Sequence, residues 1–184
     1  MVELNEVLLS DAEHTQTARA LDGQLTCLTG STPYWRSRWL EAVMGFEFPQ
    51  RGFISVDGEP LTPSTVMELR SLLAYVPACL EDEGEVVVYE APSVQDVFSL
   101  KANRNLPISN GILAEEHRRT GDDGSQGQLL AVAVLLKKPI LLVDSPSVAS
   151  VDYLLHQAYS EGRTVIVASD DSAILEKADN VVEI

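Results

Sequence analysis

One short run constrains the fold more than any other part of this chain: the apolar residues Ile140–Asp144, which end in an aspartate. A short apolar run of this length is typical of a strand that is buried on both faces of a parallel sheet. The last residue of such a strand lies at the carboxyl edge of the sheet, which is where α/β proteins bind their ligands. The pattern therefore predicts that Asp144 delivers a buried carboxylate to a site at that edge.

Strand-like and helix-like segments alternate along the rest of the chain. Strands are predicted at 2–9, 24–29, 52–58, 73–77, 140–144, 164–168 and 180–184, with a short one at 86–89. Helices are predicted at 37–44, 65–73, 94–102, 128–138, 151–159 and 173–178. This alternation predicts an α/β fold, a mostly parallel sheet flanked by helices. The strands at 24–29 and 140–144 are expected to be central, parallel neighbours.

The charge balance excludes some classes of partner. The chain has 184 residues, a length typical of one domain. It carries 28 acidic and 13 basic side chains, for a net charge of −15. Such a surface repels phosphate backbones and anionic lipid headgroups, so we expect neither nucleic-acid binding nor direct membrane insertion. The excess of acidic residues serves either solubility alone or pairing with a basic partner, and the sequence leaves both open.

The sequence predicts a cytoplasmic protein, reaching a membrane only through a partner. Cys27 and Cys79 stand in apolar contexts without metal-type spacing, as reduced thiols do in a cytosolic protein. The start of the sequence has no basic region followed by an apolar one, so no signal peptide is expected. The longest apolar run, 129–136, is too short to cross a bilayer.

A loop between a predicted strand and a predicted helix is a candidate phosphate-binding site. Glycines allow such a loop to turn its N–H groups around phosphates, and a basic side chain adds charge. Here Pro33 lacks an N–H group and Trp35 places an indole in the loop, so an ordinary strand–loop–helix corner is the competing interpretation. The candidate residues are Gly30, Ser31, Thr32, Arg36, Ser37 and Arg38.

The order of these segments resembles the nucleotide-binding subunit of an ABC transporter, which has the P-loop NTPase fold. The resemblance covers almost the whole chain and rests on ordered spacing rather than on an intact motif. Residues 49–61 are similar to the family's antiparallel segment after the first helix. The resemblance implies a single degenerate ABC ATPase-like domain over 1–184, with a shortened helical subdomain inserted at roughly 79–138.

The resemblance also implies that other residues replace several of the family's functional residues in this chain. Ala78 stands in place of the glutamine that senses the γ-phosphate, Ser145 in place of the catalytic glutamate, and Ser169 in place of the histidine. Asp144 and Ser37 match the two Mg²⁺-binding positions, although weakly. The aromatic residue that stacks on adenine is absent from the region of residues 10–11.

A glycine-rich segment before the predicted helix at 128–138 is similar to the family's signature motif. The matching residues are Ser125, Gly127 and Gln128, in a register that stays open by a few residues. Asp122 and Asp123 beside them would repel a triphosphate. A glycine-rich turn that only caps the following helix explains the same residues.

The function implied is an ABC-transporter-like ATP-binding subunit that is catalytically inactive, binding ATP and Mg²⁺ weakly or not at all. It would be a regulatory or structural partner of a membrane permease or of a second, active ABC ATPase subunit, in the cytoplasm and peripheral to the membrane through the permease. Two alternatives stay open: a weak but genuine ATPase of an ABC transporter, and a stand-alone interaction domain that has lost nucleotide binding. Whether the chain is an enzyme is left open by the sequence.

Overall fold

A computed structural model describes residues 1–78 and 109–184 of the chain. The segments predicted at 86–89 and 94–102, and Cys79, lie outside the described residues. The strands are β1 Val2–Leu8, β2 Gln16–Ala20, β3 Leu25–Thr29, β4 Arg51–Val56, β5 Glu59–Pro60, β6 Leu73–Val76, β7 Ile140–Asp144, β8 Thr164–Ala168 and β9 Asn180–Glu183. The helices are α1 Pro33–Val43, α2 Val66–Arg70, α3 Asn110–Thr120, α4 Ser125–Leu135, α5 Val151–Tyr159 and α6 Ser172–Leu175.

The described strands form two sheets. The larger is a five-stranded parallel sheet in the order β6-β7-β8-β3-β9, and the smaller is a four-stranded antiparallel sheet in the order β2-β1-β4-β5. The predicted α/β class, with a mostly parallel sheet flanked by helices, is therefore confirmed. Strand β4 lies in the segment 49–61, which is similar to an antiparallel segment of the family, and it pairs antiparallel with β1.

The predicted direct pairing of β3 with β7 is wrong, because β8 lies between them. All five residues of β8 are buried, so this continuously apolar strand takes a central position of its own. The register pairs Ala168 of β8 with Leu28 on one side and with Asp144 on the other. The carboxyl ends of β3 and β7 therefore lie at the same edge of the sheet, as predicted.

Successive residues of β7 face two different cores. Ile140 and Leu142 pack with α1 and the antiparallel sheet, whereas Leu141 and Val143 pack with α4 and α5. This alternation follows from the period of two along a strand. Both faces of the parallel sheet are therefore covered by apolar side chains, which explains why its central strands read as continuous apolar runs.

Helix α1 begins four residues before the predicted start at residue 37. Thr32 caps it with an extended backbone and a side-chain oxygen that accepts from the N–H group of Trp35, and Pro33 occupies the first turn. A threonine cap followed by proline is a favoured helix start, because proline has no N–H group to leave unpaired. The residues interpreted as a loop are therefore the first turn of a helix.

Three further elements were not predicted: β2, β5 and α3. Helix α3 buries only Leu113, Glu116 and Thr120, so its apolar periodicity is weak. Its ends depend on local caps instead: Ser109 accepts from the N–H group of Ile112, and Gly121 takes the left-handed conformation that ends a helix. Among the described residues, no helix has both the length and the apolar character needed to cross a membrane.

The central position of β7 can be tested by truncating one side chain. Leu142 is 0% exposed in the core under α1, so we expect Leu142→Ala to lower the free energy of unfolding by about 2–5 kcal/mol. Leu21 is 42% exposed, and we expect Leu21→Ala to cost less than about 0.5 kcal/mol. Urea unfolding followed by circular dichroism measures both. Equal losses in the two variants would contradict this description of the core.

Candidate functional site

The carboxyl edge of the parallel sheet brings together residues that are far apart in the sequence. Gly30 follows β3, Ala78 lies two residues after β6, and Ser169 follows β8. Asp144 ends β7 and Ser145 follows it. Parallel strands all present their carboxyl ends at one edge, so these five positions share one side of the sheet.

Two backbone N–H groups in the first turn of α1 are engaged by the helix itself. Gly30 and Ser31 have positive φ angles of 80° and 54°, and the helix starts directly after Thr32. The N–H group of Trp35 donates to Thr32 Oγ1 at 3.4 Å, and that of Arg36 donates to the carbonyl oxygen of Thr32 at 3.2 Å. These N–H groups are engaged within the helix.

The Arg36 side chain is buried beneath this turn, with 4% of the residue exposed. Its Nη1 atom donates to the carbonyl oxygens of Gly30 at 3.1 Å and Ser31 at 3.3 Å. The same atom lies 2.6 Å from Oδ1 of Asp170, the second residue after β8. The positive charge predicted to meet a phosphate is thus paired with a carboxylate of the chain itself.

Ser37 and Arg38 also have partners within the chain. Ser37 Oγ donates to the carbonyl oxygen of Pro33 at 3.1 Å, along α1. Arg38 binds both carboxylate oxygens of Glu47 at 2.7 Å, donates to Ser10 Oγ, and stacks over the Trp35 ring at 4.7 Å. Burial raises the pKa of Glu47, but the hydrogen bonds from Arg38 and Ser10 outweigh it and hold that pKa below its usual range.

Asp144 is 2% exposed and forms the centre of a small acidic cluster. Its Oδ1 atom accepts from Ser145 Oγ at 3.0 Å. Burial, followed by the charges of Asp144 and Glu41 and a hydrogen bond to Asp144, raises the pKa of Tyr75. Burial and the charge of Asp144 likewise raise the pKa of Glu41. In residues 1–78 and 109–184, no group of three or more histidine, cysteine or acidic side chains is arranged to hold a metal ion.

The three positions at which the resemblance places catalytic groups carry no ionisable side chain. Ala78 is exposed after β6. Ser145 has a positive φ of 48°, and its N–H group donates to the carbonyl oxygen of Ala168 at 2.9 Å. Ser169 is 6% exposed, and its Oγ accepts from the N–H group of Asp171 at 3.1 Å. Neither hydroxyl is a base at neutral pH.

The signature-like residues lie at the start of α4. Ser125 opens the helix, Gly127 is buried and Gln128 is exposed. A Cβ atom on Gly127 would lie 1.9 Å from the carbonyl oxygen of Asp122, so this position requires glycine for packing. The structural role of Gly127 is thus clear, while its part in a signature motif stays a prediction.

Gln126 is a functional-site residue that sequence reasoning missed. Its Nε2 atom donates to the carbonyl oxygens of Asp144 at 2.8 Å and of Pro77 and Ser145 at 3.3 Å each. Its Oε1 atom accepts from the N–H group of Ser147 at 3.2 Å. One side chain thus joins the ends of β6 and β7 to the turn that follows. The available signal was a pair of glutamines, Gln126 and Gln128, in the first turn of a helix that is otherwise mostly apolar.

Curated relatives match most of this chain. An uncharacterized ABC transporter ATP-binding protein of Mycobacterium tuberculosis is 26% identical over 184 aligned positions, which cover 88% of this chain and 56% of that protein. A macrolide export ATP-binding/permease protein, MacB, of a Shewanella species is 24% identical, covering 88% and 28%. The thiamine import ATP-binding protein ThiQ of Brucella abortus is 26% identical, covering 83% and 69%. The chain spans about half the length of the M. tuberculosis protein. No protein-family model matches the chain.

Solved structures share the fold over the whole chain at lower identity. The dimeric structure of MJ0796, a bacterial ABC transporter cassette, has a TM-score of 0.75 at 15% identity, covering 100% of this chain and 94% of that one. CbiO1 of Clostridium perfringens, part of the ABC transporter complex cbiONQ, has a TM-score of 0.71 at 18% identity, covering 99% and 83%.

The role of Gln126 can be tested by truncation. Gln126→Ala leaves three carbonyl oxygens and one N–H group without this partner, so we expect the free energy of unfolding to fall by about 1–3 kcal/mol. Gln128 is exposed two residues further along the same helix, and Gln128→Ala should change it by less than about 0.5 kcal/mol. Urea unfolding measures both variants. An unchanged stability in Gln126→Ala would show that the bridge contributes nothing.

Proposed function

We propose that this chain, which resembles ABC transporter ATP-binding subunits in sequence and has the fold of an ABC ATPase cassette, is a subunit of that kind that no longer hydrolyses ATP. It acts as a regulatory or structural partner of a membrane permease or of an active ATPase subunit. Its place is in the cytoplasm, peripheral to the membrane through that partner. The relatives named as ATP-binding transport proteins support the general class.

The observation that carries the proposal is the ion pair between Arg36 and Asp170 at 2.6 Å. A phosphate loop needs a free cation and free N–H groups aimed at the phosphates. Here the cation is bound to a carboxylate and to two carbonyl oxygens, and the N–H groups of Trp35 and Arg36 are bound to Thr32. A triphosphate would have to break these contacts before making its own.

Negative charge at the same edge adds to this cost. Asp170 lies beside Arg36, and burial together with the charge of Asp144 raises the pKa of Glu41. Two like charges about 4 Å apart repel by about 1 kcal/mol even in bulk water, and by more in a partly buried site. Mg²⁺ could offset part of this repulsion at Asp144, but the Ser37 hydroxyl is engaged within α1.

Hydrolysis would also lack a group to activate water. Ala78, Ser145 and Ser169 stand where the resemblance places the groups that position water and contact the γ-phosphate. Losing a general base costs a factor of about 10²–10⁴, and a base is of use only when the reacting groups are held in place. The chain lacks the base at these positions, and two N–H groups in the first turn of α1 are already engaged.

A weak but genuine ATPase is the second candidate. Arg36, Ser37 and Asp144 keep the charges and the hydroxyl of a nucleotide site, and the relatives are named as ATP-binding proteins. Within the described residues, the buried Nε atom of Arg36 has no hydrogen-bond partner, so the guanidinium is not fully satisfied. This candidate requires Arg36 to leave Asp170 when nucleotide arrives.

Nucleotide binding and turnover separate these candidates. In physiological salt, we expect calorimetric titration of the purified chain with Mg-ATP to show no saturable binding below about 1 mM and phosphate release at background. Asp170→Asn should raise the affinity for Mg-ATP, because it removes the carboxylate that holds Arg36. Asp171→Asn is the matched control: it makes the same charge change at the adjacent residue, and asparagine also caps α6.

Ser145→Glu alone should not restore turnover, since a base without a bound nucleotide has nothing to act on. A submicromolar dissociation constant for Mg-ATP would contradict the proposed block. Steady phosphate release that disappears in Arg36→Ala would establish the weak ATPase instead. If Asp170→Asn bound no better than Asp171→Asn, the ion pair would not be the element that excludes nucleotide.

The proposed dependence on a different partner predicts the behaviour of the isolated chain. With a net charge of −15, two copies repel each other, so we expect a monomer or weak dimer in sedimentation velocity at micromolar concentration. Weak self-association should increase between 50 and 500 mM salt, roughly, because the salt screens that repulsion. A tight homodimer that does not respond to salt would contradict this prediction.

A further inference from the structure

A cleft of about 290 Å³ opens beside the start of α1, and the proposed function makes no use of it. The segment between β1 and β2 forms one wall, through Asp11, Glu13 and His14. Helix α1 forms the opposite wall through Trp35 and Trp39. We name this space the indole cleft. Its volume is at the lower end of the range for small-molecule sites.

The wall of the indole cleft that α1 forms is aromatic. Trp35 and Trp39 are its only two tryptophans, and both line the indole cleft. Trp39 is 3% exposed and anchored in the core beneath α1, while Trp35 is half-buried. Indole rings attract cations through the negative charge of their faces, and Trp35 already holds the guanidinium of Arg38 at 4.7 Å from its ring.

The opposite wall carries the negative charge of Asp11 and Glu13, and the cation that interacts with Asp11, Arg38, is itself bound to Glu47. Across the part of the chain that the structure describes, neither Asp11 nor Glu13 makes an ion pair. Of the two arginines closest in sequence to the cleft's tryptophans, Arg36 pairs with Asp170 at 2.6 Å, and Arg38 pairs with Glu47 at 2.7 Å while it stacks on Trp35. The indole cleft therefore combines aromatic surface with two carboxylates that make no ion pair among the described residues.

We propose that the indole cleft binds a small organic cation, an alkylammonium or quaternary ammonium compound. Its apolar groups lie against Trp35 and Trp39, and its charge faces Asp11 and Glu13. Both interactions favour a cation, and they act on the same ligand from opposite walls. An anion meets two carboxylates and no free arginine there, so a phosphorylated ligand is disfavoured.

A neutral nucleobase is the competing ligand, since it could stack on the half-buried indole of Trp35 without carrying any charge. The carboxylates decide between the two: they attract an ammonium group strongly and a neutral ring hardly at all. The chemistry of the cleft thus predicts that affinity depends on ligand charge and on Asp11 and Glu13 together.

The test uses the protein's own fluorescence, because its only tryptophans report on this cleft. Choline is titrated in parallel with 3,3-dimethyl-1-butanol, which has the same shape without the charge. We expect saturable fluorescence change with choline, and an affinity for the neutral alcohol that is weaker by a factor of about five or more. Adenosine and ATP are titrated under the same conditions and should bind more weakly than choline.

Variants connect the signal to the acidic wall. Asp11→Asn with Glu13→Gln should weaken choline binding about tenfold and leave the alcohol unaffected. Glu68→Gln with Glu161→Gln makes the same change in net charge at exposed sites outside the cleft, and should leave choline binding unchanged. Equal affinities for choline and the alcohol, an unchanged affinity in the Asp11 and Glu13 variant, or tighter binding of adenosine would each overturn the proposal.

Discussion

The hydrogen bonding of β8 between β3 and β7 is the constraint on which the rest of this structure depends. Its parallel register with both strands brings Leu28, Ala168 and Asp144 level at one edge. The segments that follow the three strands must then share that edge, whatever their sequences. Arg36 can reach Asp170, and Ser145 can donate to Ala168, only because the strand ends are aligned in this way.

At that edge, the chain itself supplies partners for Nη1 of Arg36 and for the amide of Gln126, while Nε of Arg36 has none among the described residues. Arg36 is bound by a carboxylate and two carbonyl oxygens, and Gln126 bonds to the backbone after β6 and β7. Buried polar groups without partners are costly, so a site that has no ligand to supply partners is stable only when other residues do so. The internal partners of Arg36 and Gln126 fit a scaffold that holds most of its buried polar atoms at this edge without nucleotide.

The electrostatic character of the molecule points in the same direction. The chain has 28 acidic residues against 13 basic ones, and three of the basic residues in α1 and α2 are committed to carboxylates, carbonyl oxygens or aromatic rings: Arg36, Arg38 and Arg70. Little free positive charge is left on this side of the sheet to meet a phosphate. The same imbalance gives the indole cleft two carboxylates that make no ion pair within the described part of the chain, so one property of the sequence bears on both proposals.

The sequence by itself determined the class of fold and the identity of the central strands. The runs at 140–144 and 164–168 are apolar apart from Asp144 and Thr164 at their ends, because both faces of a parallel sheet are buried, and the structure has these strands with the predicted bounds. The order of the strands could not be predicted from the sequence, because three strands of equal apolar character can be arranged in more than one way.

Only the tertiary structure decided the partners of Arg36, which depend on Asp170, a residue 134 positions away in a different segment. It also decided the bridging role of Gln126, since the sequence does not indicate which of the glutamines 126 and 128 will meet backbone groups of the neighbouring strands.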